Sequence, residues 1–265
     1  MLTSTRKRSD QVEARVRLRV HFAPIGFEVQ RVTTPAKSLR ADVVLLLTTD
    51  RTEKAGSALE RVIRRLDAAR IRHHVVRCDI WDSPSVVDEV GGIVTAAPQH
   101  DYFFNVSTGA KTACIAGTIA SMFWQVRPYY QPVAYVNGPV TDGGNPPVEG
   151  LPVFIPTFEA PSLEPGPIET LRFLVERSRP VSKRELMIHM RTAETIYPRT
   201  KSHVTPQALH AQADVILHRL ADWGFIEITG SGRRMLIRPT ETGRGGERMF
   251  RHVTRPRPAL ELLKV

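Results

Sequence analysis

Cysteine is nearly missing from this chain: only Cys78 and Cys114 occur in 265 residues. They stand far apart in apolar stretches, and no second Cys lies at metal-ligand spacing from either. The sequence therefore predicts two unbridged thiols and excludes a disulfide scaffold or a zinc module. A run of eighteen apolar residues is also missing, which excludes a membrane-spanning helix. The basic start at residues 1–9 has no apolar stretch behind it and so does not read as a secretory leader. A cytoplasmic protein with no required cofactor is the expectation. A phosphate-binding Walker loop is absent too, because Ala110 separates Gly109 from Lys111 and no glycine stands five residues upstream.

Charge is abundant and unevenly placed. The net charge is +10, with six Lys/Arg against two Asp/Glu over residues 1–19 and thirteen against fourteen over 20–160. Residues 161–265 hold eighteen against eleven, so a near-neutral part precedes a basic one. Such a C-terminal part suits a polyanionic partner.

Hydrophobic periodicity divides the chain in two. Residues 16–22, 41–48, 71–78, 102–106 and 133–136 read as strands, and 41–48 is apolar enough to be covered on both faces. Residues 27–39, 54–69, 83–95 and 113–124 read as helices, the third capped by Ser83 with Pro84 at its first position. The alternation predicts an α/β fold, a Rossmann-like and mostly parallel sheet over residues 16–158 after a basic tail at 1–15. Residues 153–155 are expected to return as an edge strand. A Pro-rich linker is expected at 159–167.

Residues 168–265 change style. A helix at 168–176 is followed by Ser182 and Glu185, a capping box that opens a second helix. Thr205 and Pro206 open a third, with Leu209, Ala213, Ile216, Leu217 and Leu220 on one face. A basic hairpin turns at Gly230-Ser-Gly232. Three helices and a hairpin predict a winged helix-turn-helix, although residues 191–204 are long for the turn between its second and third helices.

The most informative stretch is Asn105-Val-Ser-Thr-Gly-Ala-Lys111. A strand breaks there into a hydroxyl- and glycine-rich turn that opens a helix. Unpartnered N–H groups and the helix dipole favour an anion at such a place, and Lys111 adds a cation. Ser107 and Thr108 suit two roles, contact with the anion or capping of the helix. In a doubly wound sheet the ligand lies beyond the carboxyl ends of the strands, which brings residues 23–27, 48–50 and 105–111 together.

That motif, with Pro24-Ile-Gly-Phe-Glu28 after the first strand, resembles the CARF domain, the CRISPR-associated Rossmann fold. The stretch Leu220 to Ile226 and the Gly-Arg-Arg wing resemble a winged helix. Together, over most of residues 16–240, the chain is similar to the archaeal CARF and winged-helix transcriptional regulators of CRISPR loci. The resemblance implies a homodimer with a composite pocket for a cyclic oligoadenylate, most often the tetramer, and double-stranded DNA as second partner. It implies phosphate and ribose contacts at Ser107, Thr108, Gly109 and Lys111 with Asn105 in support. Ile25, Gly26 and Phe27, and Thr48, Thr49 and Asp50, would close around the bases. Lys183, Arg184, Gln207, His210, Arg233 and Arg234 are the DNA-binding candidates.

Two enzymatic alternatives accompany this reading. Arg184 and His189 match the spacing of the Arg-x4-His signature carried by helical ribonucleases in CARF proteins. Ser107, Thr108 and Lys111 suit in-line cleavage of a bound ring, with no general base in sight.

Overall fold

Every residue from Val43 to Thr48 is buried, which only a strand covered on both faces allows. The structure is a computed structural model that describes residues 16–49, 53–134, 146–160, 164–193 and 205–264. Strands and helices alternate as β1 (Arg19–Pro24), α1 (Val29–Ser38), β2 (Val43–Thr48), α2 (Glu53–Ala68), β3 (Arg72–Arg77), α3 (Ser83–Ala96), β4 (Asp101–Asn105), α4 (Lys111–Trp124) and β5 (Arg127–Tyr130), with β6 (Val153–Phe154) returning. Sheet order is β3-β2-β1-β4-β5-β6. All neighbours are parallel except β6, which runs antiparallel at the edge. This is the mixed α/β, mostly parallel fold predicted from the alternation.

The period-two pattern of β2 divides the core. Val43, Leu45 and Leu47 join Val20, Phe22 and Phe104 against α3 and α4. Val44 and Leu46 meet Val29, Val32, Val62 and Leu66 of α1 and α2 on the other face. Each fully buried aliphatic side chain contributes on the order of 1.5–3 kcal/mol, so the double layer dominates stability.

Three local expectations are corrected. The fifth strand lies at Arg127–Tyr130, while Val133 makes only an isolated bridge to Val148. Pro128 and the flanking arginine disguise the strand, because proline in a run reads against a sheet interior. Helix α3 is capped by Asp82, whose carboxylate accepts from the Ser85 N–H at 3.0 Å, so Ser83 is already helical. Pro165 and Pro167, assigned to the linker, instead lie in the first turn of α5 (Pro165–Arg177). Proline lacks the N–H that a first turn leaves unpaired, so it starts helices as readily as it breaks them.

A second core follows. Helix α5, β7 (Val181–Ser182), α6 (Lys183–Thr192), α7 (Pro206–Asp222), β8 (Ile226–Thr229) and β9 (Leu236–Pro239) surround Leu171, Leu174, Leu186, Leu217, Leu220 and Ile237. The three strands pair in the order β7-β9-β8. Ser182 caps α6 through the Glu185 N–H, and Thr205 caps α7 through Ala208 N–H.

The chain then returns to the first body. Helices α8 (Glu241–Met249) and α9 (Arg251–Thr254) and a short turn at Glu261–Leu263 bring Phe250 and Leu263 into the core built on α3 and α4. The N–H and the Nδ1 of His252 lie 2.8 and 2.9 Å from Asp88 Oδ1. Arg257 pairs with Asp88 and Glu89, and Arg248 with Asp82. His100 accepts from Leu18 N–H and donates to Leu263 O at 2.8 Å. The residues expected as one C-terminal unit, 168–265, thus divide: 165–239 hold their own core, and 241–264 complete the α/β body.

Cys78 and Cys114 are unbridged. Burial pushes the Cys78 thiol up to about 12 and the Cys114 thiol upward. Among the described residues no helix is long and apolar enough to cross a membrane, and no cluster of His, Cys, Asp and Glu could hold a metal ion. The expected roles of Asp50, of the tail at 1–15 and of 194–204 fall outside the described residues.

Candidate anion-binding site

Strand order changes direction at β1, whose neighbours β2 and β4 connect to opposite sides, and a crevice at such a switch point is where α/β sheets bind ligands. Two loops meet there, residues 24–28 after β1 and 106–110 after β4. Gly109 has φ of +81°, and a Cβ on it would lie 2.5 Å from Pro24 Cβ. A Cβ on Gly26 would lie 2.8 Å from the Gly109 nitrogen. The loops touch backbone to backbone.

The hydroxyls expected to contact the ligand also bond within the protein. Thr108 Oγ1 donates to Pro24 O at 2.6 Å, and Ser107 Oγ accepts from Gln131 N–H at 2.6 Å. Asn105 is fully buried, accepting from Ser107 N–H at 2.9 Å and donating to Arg31 O at 2.8 Å. Neither hydroxyl caps α4: its N-cap is Ala110, which makes no side-chain cap bond, and among the described residues no side chain bonds its first-turn amides. The positive end of a fourteen-residue helix is thereby left open, with Lys111 exposed at its first position.

Other sequence-derived residues divide by exposure. Ile25 and Thr48 are buried, Gly26, Thr49 and Gly109 are half-buried, and Phe27 is exposed. Ile25 N–H bonds to Leu47 O, tying the β1 loop to β2. Glu28 accepts from Phe27 N–H, so one carboxylate also stands at this edge.

Sequence reasoning misses Arg31, Gln131 and Trp81. Arg31 reaches from α1 to Gln131 O at 3.3 Å, with its guanidinium 4.9 Å from the Tyr130 ring. Gln131 is fully buried; its Nε2 donates to Pro132 O, Glu149 O and Gly150 O, and its Oε1 has no partner among the described residues. Nothing in the sequence marks them, because their role depends on β5 lying beside β4. Trp81, in the loop before α3, is exposed.

Beneath the site, His21 Nδ1 lies 3.2 Å from the Tyr129 hydroxyl and its ring stacks on Phe103 at 4.6 Å. Burial, reinforced by Arg19 and Arg127, lowers the imidazole to about 3, and it is neutral.

Of the DNA-binding candidates, Arg184, Gln207, His210 and Arg234 are exposed. Lys183 is half-buried and paired with Asp214 of α7. The Arg233 side chain falls outside the described residues. Arg184 and His189 do not form a site: five positions on a helix set them about 140° apart. His189 stacks on Phe173 at 4.0 Å and bonds Glu169 at 3.1 Å. Burial lowers its pKa despite the carboxylate.

Residues 19–134 match the family model described as HFX_2341_N:-like, N-terminal. A stretch of 128 residues is 28% identical to the uncharacterized protein MJ1513 of Methanocaldococcus jannaschii, covering 44% of this chain and 38% of that protein. Among solved structures, Can2 from Sulfobacillus thermosulfidooxidans in complex with cyclic tetra-adenylate aligns at TM-score 0.37 and 12% identity, over 89% of this chain and 63% of that one. Enterococcus italicus Csm6 bound to cyclic hexa-2'-fluoro-hexa-dAMP aligns at TM-score 0.36 and 14% identity, over 43% of this chain and 33% of that one. Likeness of this degree leaves any ligand of this chain to be argued from its own residues.

Proposed function

We propose that this chain is a ligand-gated transcriptional regulator. Its α/β body binds a cyclic oligoadenylate, the tetramer first, in a pocket shared by two copies of the chain. The unit at 165–239 is a winged helix that binds double-stranded DNA and controls CRISPR-Cas genes. The observation that carries the reading is the open N-terminus of α4 with Lys111 beside it, at the carboxyl edge of a parallel sheet. Amide donors, a helix dipole and a lysine suit phosphate. A cyclic ligand with two-fold symmetry would meet the same group once from each copy.

Support for the DNA-binding half is the basic balance after residue 160 and the order helix, strand, two helices, hairpin. Gating follows if the ligand binds the two states of the body unequally. Linkage then demands that ligand and DNA change each other's affinity by the same factor, typically about 5–150-fold.

Lys111→Ala tests the site. Removing a charge-assisted contact costs about 1.5–3 kcal/mol, so calorimetry should show affinity for cyclic tetra-adenylate lower by roughly 10–150-fold with the fold intact. Unchanged affinity for every cyclic oligoadenylate would sink the assignment.

A further inference from the structure

We propose that Trp81 is a base-stacking platform for the nucleotide whose phosphate meets α4 and Lys111, and that it makes the site prefer purines. The inference rests on the function proposed above.

The loop carrying Trp81 is fixed to the first turn of α4. Thr112 Oγ1 donates to Ile80 O at 2.9 Å, and Ser83 Oγ donates to Thr112 O at 3.3 Å. These two bonds flank Trp81, whose own N–H bonds to Asp79 Oδ1 at 3.1 Å. The backbone is therefore held beside the open helix end while the side chain stays 47% exposed. The other two tryptophans, Trp124 and Trp223, pack against the two hydrophobic cores.

Phe27 follows Gly26 in the loop that meets the same turn. The contact of Gly26 with Gly109 carries it there, and it is 55% exposed. The loops that carry Trp81 and Phe27 thus both meet the turn that opens α4. Scattered exposed apolar residues are ordinary on a surface. Here three exposed aromatic rings, Phe27, Trp81 and Tyr130, stand at or just after the carboxyl ends of β1, β3 and β5, while Phe154 and Phe158 are exposed elsewhere. The ring of Tyr130 is occupied by Arg31, and the indole is the largest plane of the three. A cation for the phosphate and a flat ring for the base are the two contacts that a nucleotide offers. A purine presents more area to an indole than a pyrimidine does.

The test uses the full chain, with cyclic tetra-adenylate and cyclic tetra-uridylate as probes in calorimetry and tryptophan fluorescence. Trp81→Ala should weaken adenylate binding by about 5–150-fold, the measured range for one lost base stack. Trp81→Phe should restore most of it, with unchanged thermal melts for both variants. The wild type should bind the adenylate more tightly than the uridylate, with quenching that Trp81→Phe abolishes. Wild-type affinity in Trp81→Ala, alongside a weakened Lys111→Ala, overturns the platform and leaves the function standing. Equal affinity of the wild type for both rings overturns purine selection. Binding of neither ring by the wild type overturns the function itself, and this inference with it.

Discussion

Gly26 and Gly109, from loops that follow different strands, come so close that a Cβ on the first would lie 2.8 Å from the nitrogen of the second. The contact fixes the height of the β4 turn above the sheet and hence where α4 begins. Thr108, reaching Pro24 O from the neighbouring position, locks the same seam.

Gly109→Ala should disturb this seam twice over. Its φ of +81° is strained for alanine, and the added Cβ would meet Pro24. A non-glycine residue held in that region costs on the order of 1–3 kcal/mol. For a chain this size the melting temperature falls roughly 2–4 °C per kcal/mol. Differential scanning calorimetry should record that drop, and affinity for cyclic tetra-adenylate should fall with it. A variant as stable as the wild type would show that the loops separate freely.

Stability should rise with pH across the range set by His21. Its folded pKa is lowered to about 3 from an ordinary 6.5. The unfolded chain therefore binds a proton that the folded one refuses, and stability is lost as pH falls below about 6.5 toward 3. The slope for one group approaches about 1.4 kcal/mol per pH unit. Urea melts between pH 7 and 5 should show it, and His21→Phe should flatten the profile.

Asp88→Asn should loosen the return of the chain onto α3. The carboxylate accepts two bonds from His252 and pairs with Arg257. Burial opposes its ionisation, but those partners win and hold its pKa below the ordinary value. Breaking a buried pair costs about 3–5 kcal/mol; with Arg257 38% exposed, about 2–3 is the better figure. Lys264→Ala, which removes the exposed pair with Glu261, should cost less than about 1 kcal/mol in the same urea melts.

DNA binding, on the proposed function, should respond to Asp214. Lys183 is neutralised by this carboxylate. Asp214→Ala should free the lysine, tighten binding and steepen the salt dependence by about one counterion. Arg184→Ala and Arg234→Ala should each flatten it by a similar amount. Fluorescence anisotropy at several salt concentrations measures all three slopes.

Much of the α/β body is legible in the sequence because strands such as β2 and helices such as α2 declare themselves by period. The motif at 105–111 is legible as a turn that opens a helix. What each hydroxyl does there is not, since Ser107 answers to Gln131 and Thr108 to Pro24, partners 24 and 84 residues away. Helix α8 is illegible for another reason. Its glycines read as a loop, yet Gly243 and Gly246 are what lets the helix lie on Phe225, where a Cβ would fall 2.0 Å from the carbonyl oxygen and 2.8 Å from the ring. His189 shows the converse: a sequence signature with catalytic spacing that the fold spends on packing.

The reach of Asp88 to His252, 164 residues later, sets an order of events during synthesis. Domains generally form as they emerge from the ribosome. The sheet can assemble early, but the face of α3 that takes Phe250 and Leu263 stays uncovered until those residues are made. The unit at 165–239 holds its own core, although α8 also lies on its Phe225 and Arg255 pairs with its Glu176. That core should therefore form while the body that precedes it is still open, and residues 241–264 are what closes that body.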